Sequence, residues 1–171
     1  KWLQNIEAAE ILLEKIFPLV RIAVPNAKVL VVGQHIPKSI SKFAGKNIEI
    51  RSLPEDDVQG TVKAYQQASI FASPVKGPGG TRLKNLAAMA CQLPMVTTSV
   101  GAAGLKLTPE EDVLIADSLE DFARQLVRLI KHPDLSKKIA KNARVIVEEN
   151  FDYAMIARKL SHIYQSLCQK S

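Results

Sequence analysis

Apolar residues recur at two different spacings along this 171-residue chain, and the switching between them outlines an architecture. Ile6, Ala9, Leu12, Leu13, Ile16 and Val20 lie three and four apart, which lines them along one helix face, with Asn5 placed to cap the helix. Pro18 should kink or restart that helix, and Pro25-Asn26 should close it. Residues 28–33 then form a continuous β-branched run ending at Gly33, the pattern of a parallel strand covered on both faces. A short helix or loop at 37–44, a strand at 47–51, a helix at 57–68 and a strand at 69–74 continue the alternation. Beyond them the periodicity predicts a helix at 81–91, strands at 95–98 and 113–116, and helices at 119–130, 134–149 and 152–169, the last two separated by Asn150-Phe151.

Five strand-like runs separated by helices predict an α/β fold with three layers. It is a Rossmann-like, doubly wound parallel sheet in a single domain covering 1–171. In such a sheet the ligand crevice lies beyond the carboxyl ends of the strands, so the loops after Gly33, Arg51, Pro74 and Thr98 are the ones to watch. A doubly wound domain leads with a strand, whereas this chain leads with a helix. The expectation is that a first strand is missing.

Composition narrows the class. A hydrophobic content of 47% supports a sizeable core, and the longest apolar stretch, 86–96, is interrupted by Gln92 and falls short of a bilayer span. No basic segment followed by an apolar core and a cleavage site opens the chain, so the expected location is the cytoplasm. Cys91 and Cys168 share no repeated spacing and read as buried thiols in a reducing compartment. The net charge of +6 concentrates in 131–144 and 158–170, where cations interleave with Ile, Leu, Ala and Val at helical spacing and no aromatics alternate with them. That is the solvated face of amphipathic helices rather than a nucleic-acid surface. An alternative keeps the patch as a docking face for a phosphorylated acceptor or anionic lipid headgroups, with peripheral contact at the inner face of the membrane.

Candidate chemistry sits at 74–101. Gly77, Gly79 and Gly80 let the backbone approach a ligand, and Thr81 leads into a helix whose first turn carries Arg82 and Lys84. Unpaired N–H groups at a helix start, the helix dipole and two cations together make an anion cradle, and a diphosphate suits it. Taken alone, the same residues also fit a plain strand-to-helix turn. His35, His132 and His162 have no metal-ligand spacing, and no metal is expected. Glu55-Asp56-Asp57 precedes a helix and reads as caps, Glu110-Glu111-Asp112 as a solvated turn, and Trp2 as an anchor at a strand or domain junction.

Gly79-Gly80-Thr81-Arg82-Leu83-Lys84, followed by Leu86-Ala87-Ala88-Met89-Ala90 and Pro94-Met95-Val96, resembles the G-G-T-R-L-K-x-L-E-A-M-A-x-G-x-P-V-V signature of the large retaining family 4 of GT-B fold glycosyltransferases (glycosyl transferases group 1), in their C-terminal domain. The likeness extends over essentially the whole chain. The stretch 5–25 is similar to the family's helix with "I-F-P" and a closing "P-N", 28–33 to its "L-x-I-V-G" strand, and 67–74 to its "A-x-V-x-x-x-P" strand. Gly101-Ala102-Ala103-Gly104-Leu105 resembles "G-x-x-G-L", and Asn142-Ala143-Arg144 through Phe151-Asp152-Tyr153 resembles "N-A-R…Y-S/D-W".

The resemblance implies the donor-binding half of a two-domain transferase. A UDP-, GDP- or similar nucleotide sugar would lie on this domain and the acceptor on an N-terminal domain of the same protein, with no cofactor and no metal. Carried over by position, Gly77, Gly79, Gly80 and Thr81 would approach the diphosphate and Arg82 and Lys84 would lend charge. Arg51, Ser52, Leu53 and Ala87 would fall in the base and ribose region, and Val100, Gly101, Ala102 and Ala103 would flank the sugar. Two positions depart from the pattern: the acid that would grip the ribose hydroxyls falls on Ala87, and the glycine of "A-x-G-x-P" falls on Gln92. With Gly79 at the place of the paired acid, the carboxylate pair is absent. Two other readings remain open: a degenerate nucleotide-binding or scaffolding module, and a dinucleotide-dependent oxidoreductase domain. The latter lacks its fingerprint, since Gly33 stands alone after the first strand.

Overall fold

The computed structural model describes residues 3–77 and 82–168. Helix α1 (Leu3–Ile11) runs through a π-helical turn (Leu12–Ile16) into α2 (Phe17–Ala23) without a break. In place of the expected kink or restart, Pro18 lies in the first turn of α2, which begins directly after the π-turn with its backbone still helical. The amide of Phe17 reaches back to the Leu12 carbonyl, and this wider turn takes up the proline in place of a break. Asn5 sits inside α1 rather than capping it.

Strand β1 (Val29–Gly33) pairs in parallel with β2 (Ile48–Ser52), with Val31 opposite Ile50. The short α3 (Lys38–Ser41) lies between them in sequence. Helix α4 (Val58–Gln67) is capped by Asp57, whose carboxylate accepts the Gly60 amide at 2.8 Å. A Cβ on Gly60 would stand 2.3 Å from the Asp57 carboxylate, so glycine permits the close cap. Strand β3 (Phe71–Ser73), α5 (Leu83–Ala90), β4 (Met95–Thr97), α6 (Ser99–Ala102) and β5 (Leu114–Ile115) follow, then α7 (Leu119–Lys131), α8 (Pro133–Asn150) and α9 (Tyr153–Cys168). β3, β4 and β5 form a second parallel group with β4 in the centre.

The expected parallel α/β pattern is present, but the strands fall into two groups instead of one continuous sheet. Among the described residues β1 pairs only with β2, and β3 only with β4. The three-stranded group is the well-packed half. Val96, Leu114 and Ala116 face Ile16, Phe17 and Val20 of the N-terminal helices and Phe122, Leu126 and Leu129 of α7. Their neighbours Met95 and Val113 point the opposite way, onto Met89 of α5, Leu105 and Ala143 of α8. Successive strand residues thus feed two separate apolar layers, as a sheet covered on both faces requires. β4 is buried at all three positions, whereas every residue of β1 is only half-buried.

Helix α9 buries none of its side chains against the rest of the domain and leaves Ile156, Leu160, Ile163, Tyr164 and Leu167 exposed along its length. Cys168 is exposed and Cys91 half-buried, so the expectation of two buried thiols fails; Cys168 lies on the helix that packs least. Asp112 also departs from the solvated turn expected of it. It is 4% exposed and accepts the Thr108 amide at 2.8 Å, and burial pushes its carboxyl above the usual range. No helix among the described residues is long and apolar enough to cross a membrane.

Candidate functional site

The ends of β3 and β4 are laced together just below the loop that carries the candidate anion cradle. Thr97 donates its hydroxyl to the Ser73 carbonyl at 2.9 Å, and Thr98 donates to the Val75 carbonyl at 2.5 Å while capping α6 through the Gly101 amide at 3.0 Å. Each bond joins the exit of one strand to that of its neighbour and so holds the two following loops in register. Gly101 is buried between them, where a Cβ would come within 2.1 Å of the Thr97 hydroxyl and 3.0 Å of Val75. No larger residue fits without movement. On the outer side, the Asp117 carboxylate accepts the Ser99 amide at 2.8 Å and its hydroxyl at 2.6 Å.

Helix α5 begins at this crest. Arg82, immediately before it, donates to the Gly77 carbonyl and to the Gln4 side-chain oxygen at 3.5 Å, so its guanidinium lies back against the entry of the loop. Lys84 donates to the Asn5 side-chain oxygen at 2.5 Å. Desolvation, and secondarily the Arg82 charge, push the Lys84 ammonium below the usual lysine range. Two cations thus stand at the start of α5, Arg82 at its cap and Lys84 in its first turn, and both are engaged by amide oxygens from α1. Beneath them Tyr65 of α4 donates to the Lys84 carbonyl at 3.2 Å and packs its ring 5.7 Å from that of Phe71, and burial drives its pKa up to about 12. Asn5 and Tyr65 are the residues that sequence reasoning missed at this place. Their partner lies 79 positions along the chain from Asn5 and 19 from Tyr65, a separation that no local motif records.

Of the other positions singled out in the sequence, Gly79, Gly80 and Thr81 lie outside the described residues. Gly77 is half-buried beside Gln4. Ala87 sits on α5 one turn after Lys84 and is half-buried. Arg51 is committed elsewhere: its guanidinium binds Glu49 at 2.6 Å and Gln67 at 3.0 Å, ending on the flank of β2 and α4. Ser52 is exposed and Leu53 half-buried at the end of β2. Val100 and Ala103 are exposed on either side of buried Gly101 and half-buried Ala102. The loops after β1 and β2 are tied by His35 to Glu55 at 2.8 Å. Among the described residues no three His, Cys, Asp or Glu side chains come together as a metal-binding group.

Asn85 lies buried on α5, next in sequence to Lys84, and donates to the Gly101 carbonyl at 3.0 Å. Its side-chain oxygen has no hydrogen-bond partner among the described residues. The bond fixes the start of α5 against α6, so the two loops that cross the crest share one rigid base. Arg144 of α8 holds the other end of α5 by donating to the Ala90 carbonyl, and pairs with Glu148 at 2.6 Å. This part of the basic 131–144 stretch serves helix packing.

A parallel α/β domain with a cation-bearing helix start at the carboxyl ends of its strands is of the Rossmann-like class, and its sequence and structural relatives place it with the C-terminal domains of GT-B glycosyltransferases. Solved structures bear the fold out. The C-terminal domain of a glycosyl transferase group 1 protein, LpcC, from Francisella tularensis superposes with a TM-score of 0.67 at 21% identity, covering 88% of this chain and 78% of that one. HepE from Anabaena, solved with UDP and glucose, gives a TM-score of 0.66 at 15% identity over 89% of this chain and 45% of that one. Residues 2–132 match the family described as glycosyl transferases group 1, and the chain belongs to that family. Among curated relatives, an uncharacterised 44.6 kDa protein in the cps region of Klebsiella pneumoniae is 29% identical over 155 residues, which are 86% of this chain and 39% of that protein. A GDP-mannose-dependent monoacylated alpha-(1-6)-phosphatidylinositol monomannoside mannosyltransferase from Corynebacterium glutamicum is 24% identical over 161 residues, 89% of this chain and 42% of that protein. The chain therefore spans well under half the length of these relatives.

Proposed function

We propose that this chain is the donor-binding half of a retaining glycosyltransferase that moves a sugar from a nucleoside-diphosphate sugar to an acceptor held on another domain of the same protein. The observation that carries the reading is the pair Arg82 and Lys84, side by side at the start of α5 and beside the glycine loop. As the glycosidic bond breaks, negative charge grows on the leaving diphosphate. Two fixed cations and a helix start stabilise that charge without a metal. The relatives agree in kind: HepE was solved with UDP and a sugar, and the Corynebacterium protein is named for GDP-mannose.

Three elements line the donor's path in this reading. The loop at 77–81 approaches the diphosphate, the end of β2 with Ser52 and Leu53 borders the base, and 100–103 flank the sugar. Arg51 would have to leave Glu49 and Gln67 to reach a ligand, so its contribution to base binding is the weakest of the set. The acceptor's attacking hydroxyl would be oriented by the other domain. Holding the two reactants in register is worth about 7–11 kcal/mol of barrier, so the 171-residue chain alone would bind donor without transferring it. The protein would work in the cytoplasm, at the inner face of the membrane where its acceptor requires it.

Calorimetric titration of the full-length protein with UDP, GDP and the matching nucleosides tests the reading. Each charge-assisted contact to phosphate is worth about 1.5–3 kcal/mol, so replacing Arg82 and Lys84 together by Ala should weaken diphosphates at least about 100-fold and leave nucleosides nearly unchanged. Equal losses for both would show that these cations do not touch phosphate. A second reading, a nucleotide-binding module without turnover, is favoured by one observation: Ala87 brings no carboxylate to the helix face that carries Lys84. Donor binding by the full-length protein with no transfer to any acceptor would select it.

A further inference from the structure

Arg82 and Lys84 differ from the other cations that the fold engages in what they face. Arg51, Arg124, Arg128 and Arg144 each bind a carboxylate, which offsets their charge. Among the described residues neither Arg82 nor Lys84 does. Each is met instead by a neutral amide oxygen, Arg82 by Gln4 at 3.5 Å and Lys84 by Asn5 at 2.5 Å. An amide oxygen orients a cation by accepting its N–H and leaves the positive charge in place. Cations held in this way keep their charge for an anion.

Gln4 and Asn5 are successive residues of α1 with different surroundings. Gln4 is half-buried against the entry of the glycine loop, where a Cβ on Gly77 would fall 2.6 Å from its side-chain nitrogen. It belongs to the wall. Asn5 is exposed, and it borders the same open space as Lys84. Its side-chain oxygen is taken by the ammonium, while its side-chain nitrogen, with two N–H donors, has no partner among the described residues. Oxygen and nitrogen sit on one carbon, so an anion that takes an N–H from Asn5 stands within reach of the Lys84 ammonium as well.

We infer that Asn5 is a further donor-binding residue: its amide oxygen holds the Lys84 ammonium at the crevice, and its amide N–H groups donate to the diphosphate that the two cations attract. The inference rests on the donor site proposed above and adds to it a contact from α1, 79 positions away from Lys84 in the chain. The residue type suits the double task. A carboxylate at this place would offset the Lys84 charge and repel phosphate, and an aliphatic side chain would neither hold the ammonium nor donate. Hydrogen bonds from an amide to a charged oxygen are also stronger than those to a neutral one, so the contact favours the diphosphate over the uncharged parts of the donor.

Titration calorimetry of the full-length protein with UDP, GDP and inorganic pyrophosphate tests the contact. Asn5→Ala should weaken diphosphates by about 10-fold or more, the effect of one hydrogen bond to a charged group, and leave uridine and guanosine unchanged. Asn5→Asp should weaken them by about 100-fold, because its carboxylate pairs with Lys84 and repels phosphate. A double-mutant cycle separates direct contact from help given through the lysine: in a Lys84→Ala background, Asn5→Ala should still cost about 10-fold. No further loss there would make Asn5 only the holder of Lys84 and would overturn the inference, as would a loss shared equally by the nucleosides. The donor site itself fails by a different result, unchanged diphosphate affinity when Arg82 and Lys84 are both replaced by Ala, and Asn5 then falls with it. A loss on replacing the cations with none on replacing Asn5 would remove Asn5 alone. NMR of the unaltered protein needs no variant: the side-chain N–H signals of Asn5 should shift when UDP or GDP is added to saturation, and unmoved signals would overturn the contact.

Discussion

The two halves of this domain are built from similar sequence and reach different states of completion. β4 reads Met-Val-Thr and is buried at every position because it has a strand on each edge and helices on both faces. β1 reads Val-Leu-Val-Val-Gly, more apolar than β4, yet every residue is only half-buried, and among the described residues one edge of β1 meets no strand. Hydrophobicity states what a segment needs to bury, and only its neighbours decide whether it does. The candidate cradle sits on the completed half, where Thr97, Thr98 and Asn85 lock α5 and α6 over paired strands. The open half touches the cradle through α1, whose Asn5 holds the Lys84 ammonium.

The sharpest way to break this comparison is to remove apolar volume from each half. Met95→Ala opens a hole in a fully buried layer and should cost about 2–5 kcal/mol. Val31→Ala in the 171-residue chain should cost about 1 kcal/mol or less, because a half-exposed side chain forfeits less transfer energy. Denaturant unfolding of the two variants checks the difference. Comparable losses would mean that β1 is as well covered as β4.

The second test lies where the halves meet. The Lys84 pKa is depressed, so keeping the ammonium charged carries a penalty in the folded chain that is present at neutral pH. As pH rises through the lowered pKa towards 10.5, the unfolded chain holds more protons than the folded one and stability gains from this group. Diphosphate binding should move the opposite way. It requires the cation, so affinity should fall with rising pH before 10.5 is reached, by an amount near the lower end of about 1.5–3 kcal/mol for a partly exposed contact. Lys84→Arg should shift that fall to higher pH, as titration calorimetry across the alkaline range would record. A pH profile identical in the two proteins would detach Lys84 from the phosphate.

These contrasts also divide what the sequence could disclose from what it could not. Strands at 28–33 and 95–98, the Asp57 cap and the start of α5 were legible because each depends on residues a few positions apart. The leading helix raised the expectation of an absent strand, but which strand edges would stand open was not legible, since strand order is decided by pairings dozens of residues away and an apolar run reads the same on a paired or an open edge. Asp112 looked solvated within its acidic cluster, but it is 4% exposed and its carboxylate folds back onto the Thr108 amide, a contact that composition does not record. Asn5 looked like a cap, and only the fold brings Lys84 to it. The candidate cradle was legible as residue types, yet the contacts that fix the start of α5 come from Tyr65 and Asn85, which carry no motif.

A third test measures how tightly the completed half is fitted. Gly101→Ala places a methyl group 2.1 Å from the Thr97 hydroxyl and 3.0 Å from Val75, so the β4–α6 corner must spread. Overpacking of this kind costs about 1–3 kcal/mol. It should also disturb the loop entering α5, because Asn85 binds the Gly101 carbonyl. Thermal unfolding together with UDP titration of the full-length protein reads both effects. A variant as stable as the parent would show that the corner is looser than the distances indicate.

The smallest expected effect is a gain. Gln92 holds φ at 54°, in the left-handed region, at the turn between α5 and β4, the position where the family signature carries glycine. A side chain in that region costs roughly 1–2 kcal/mol through the clash of Cβ with the following carbonyl, and glycine removes the clash. Glycine also adds about 0.4–1 kcal/mol of backbone entropy to the unfolded chain, which offsets part of the relief. The Gln92 side chain is exposed and its amide group makes no hydrogen bond among the described residues, so little else is lost. Gln92→Gly should therefore stabilise the domain by roughly 0.5–1 kcal/mol, the difference of those two terms. Replacing Gln92 by Ala separates the contributions, because alanine keeps the Cβ clash and lacks only the polar group. A gain for glycine with none for alanine assigns the effect to the backbone. Equal behaviour of the two variants would locate it in the lost amide and remove strain from the account of this turn.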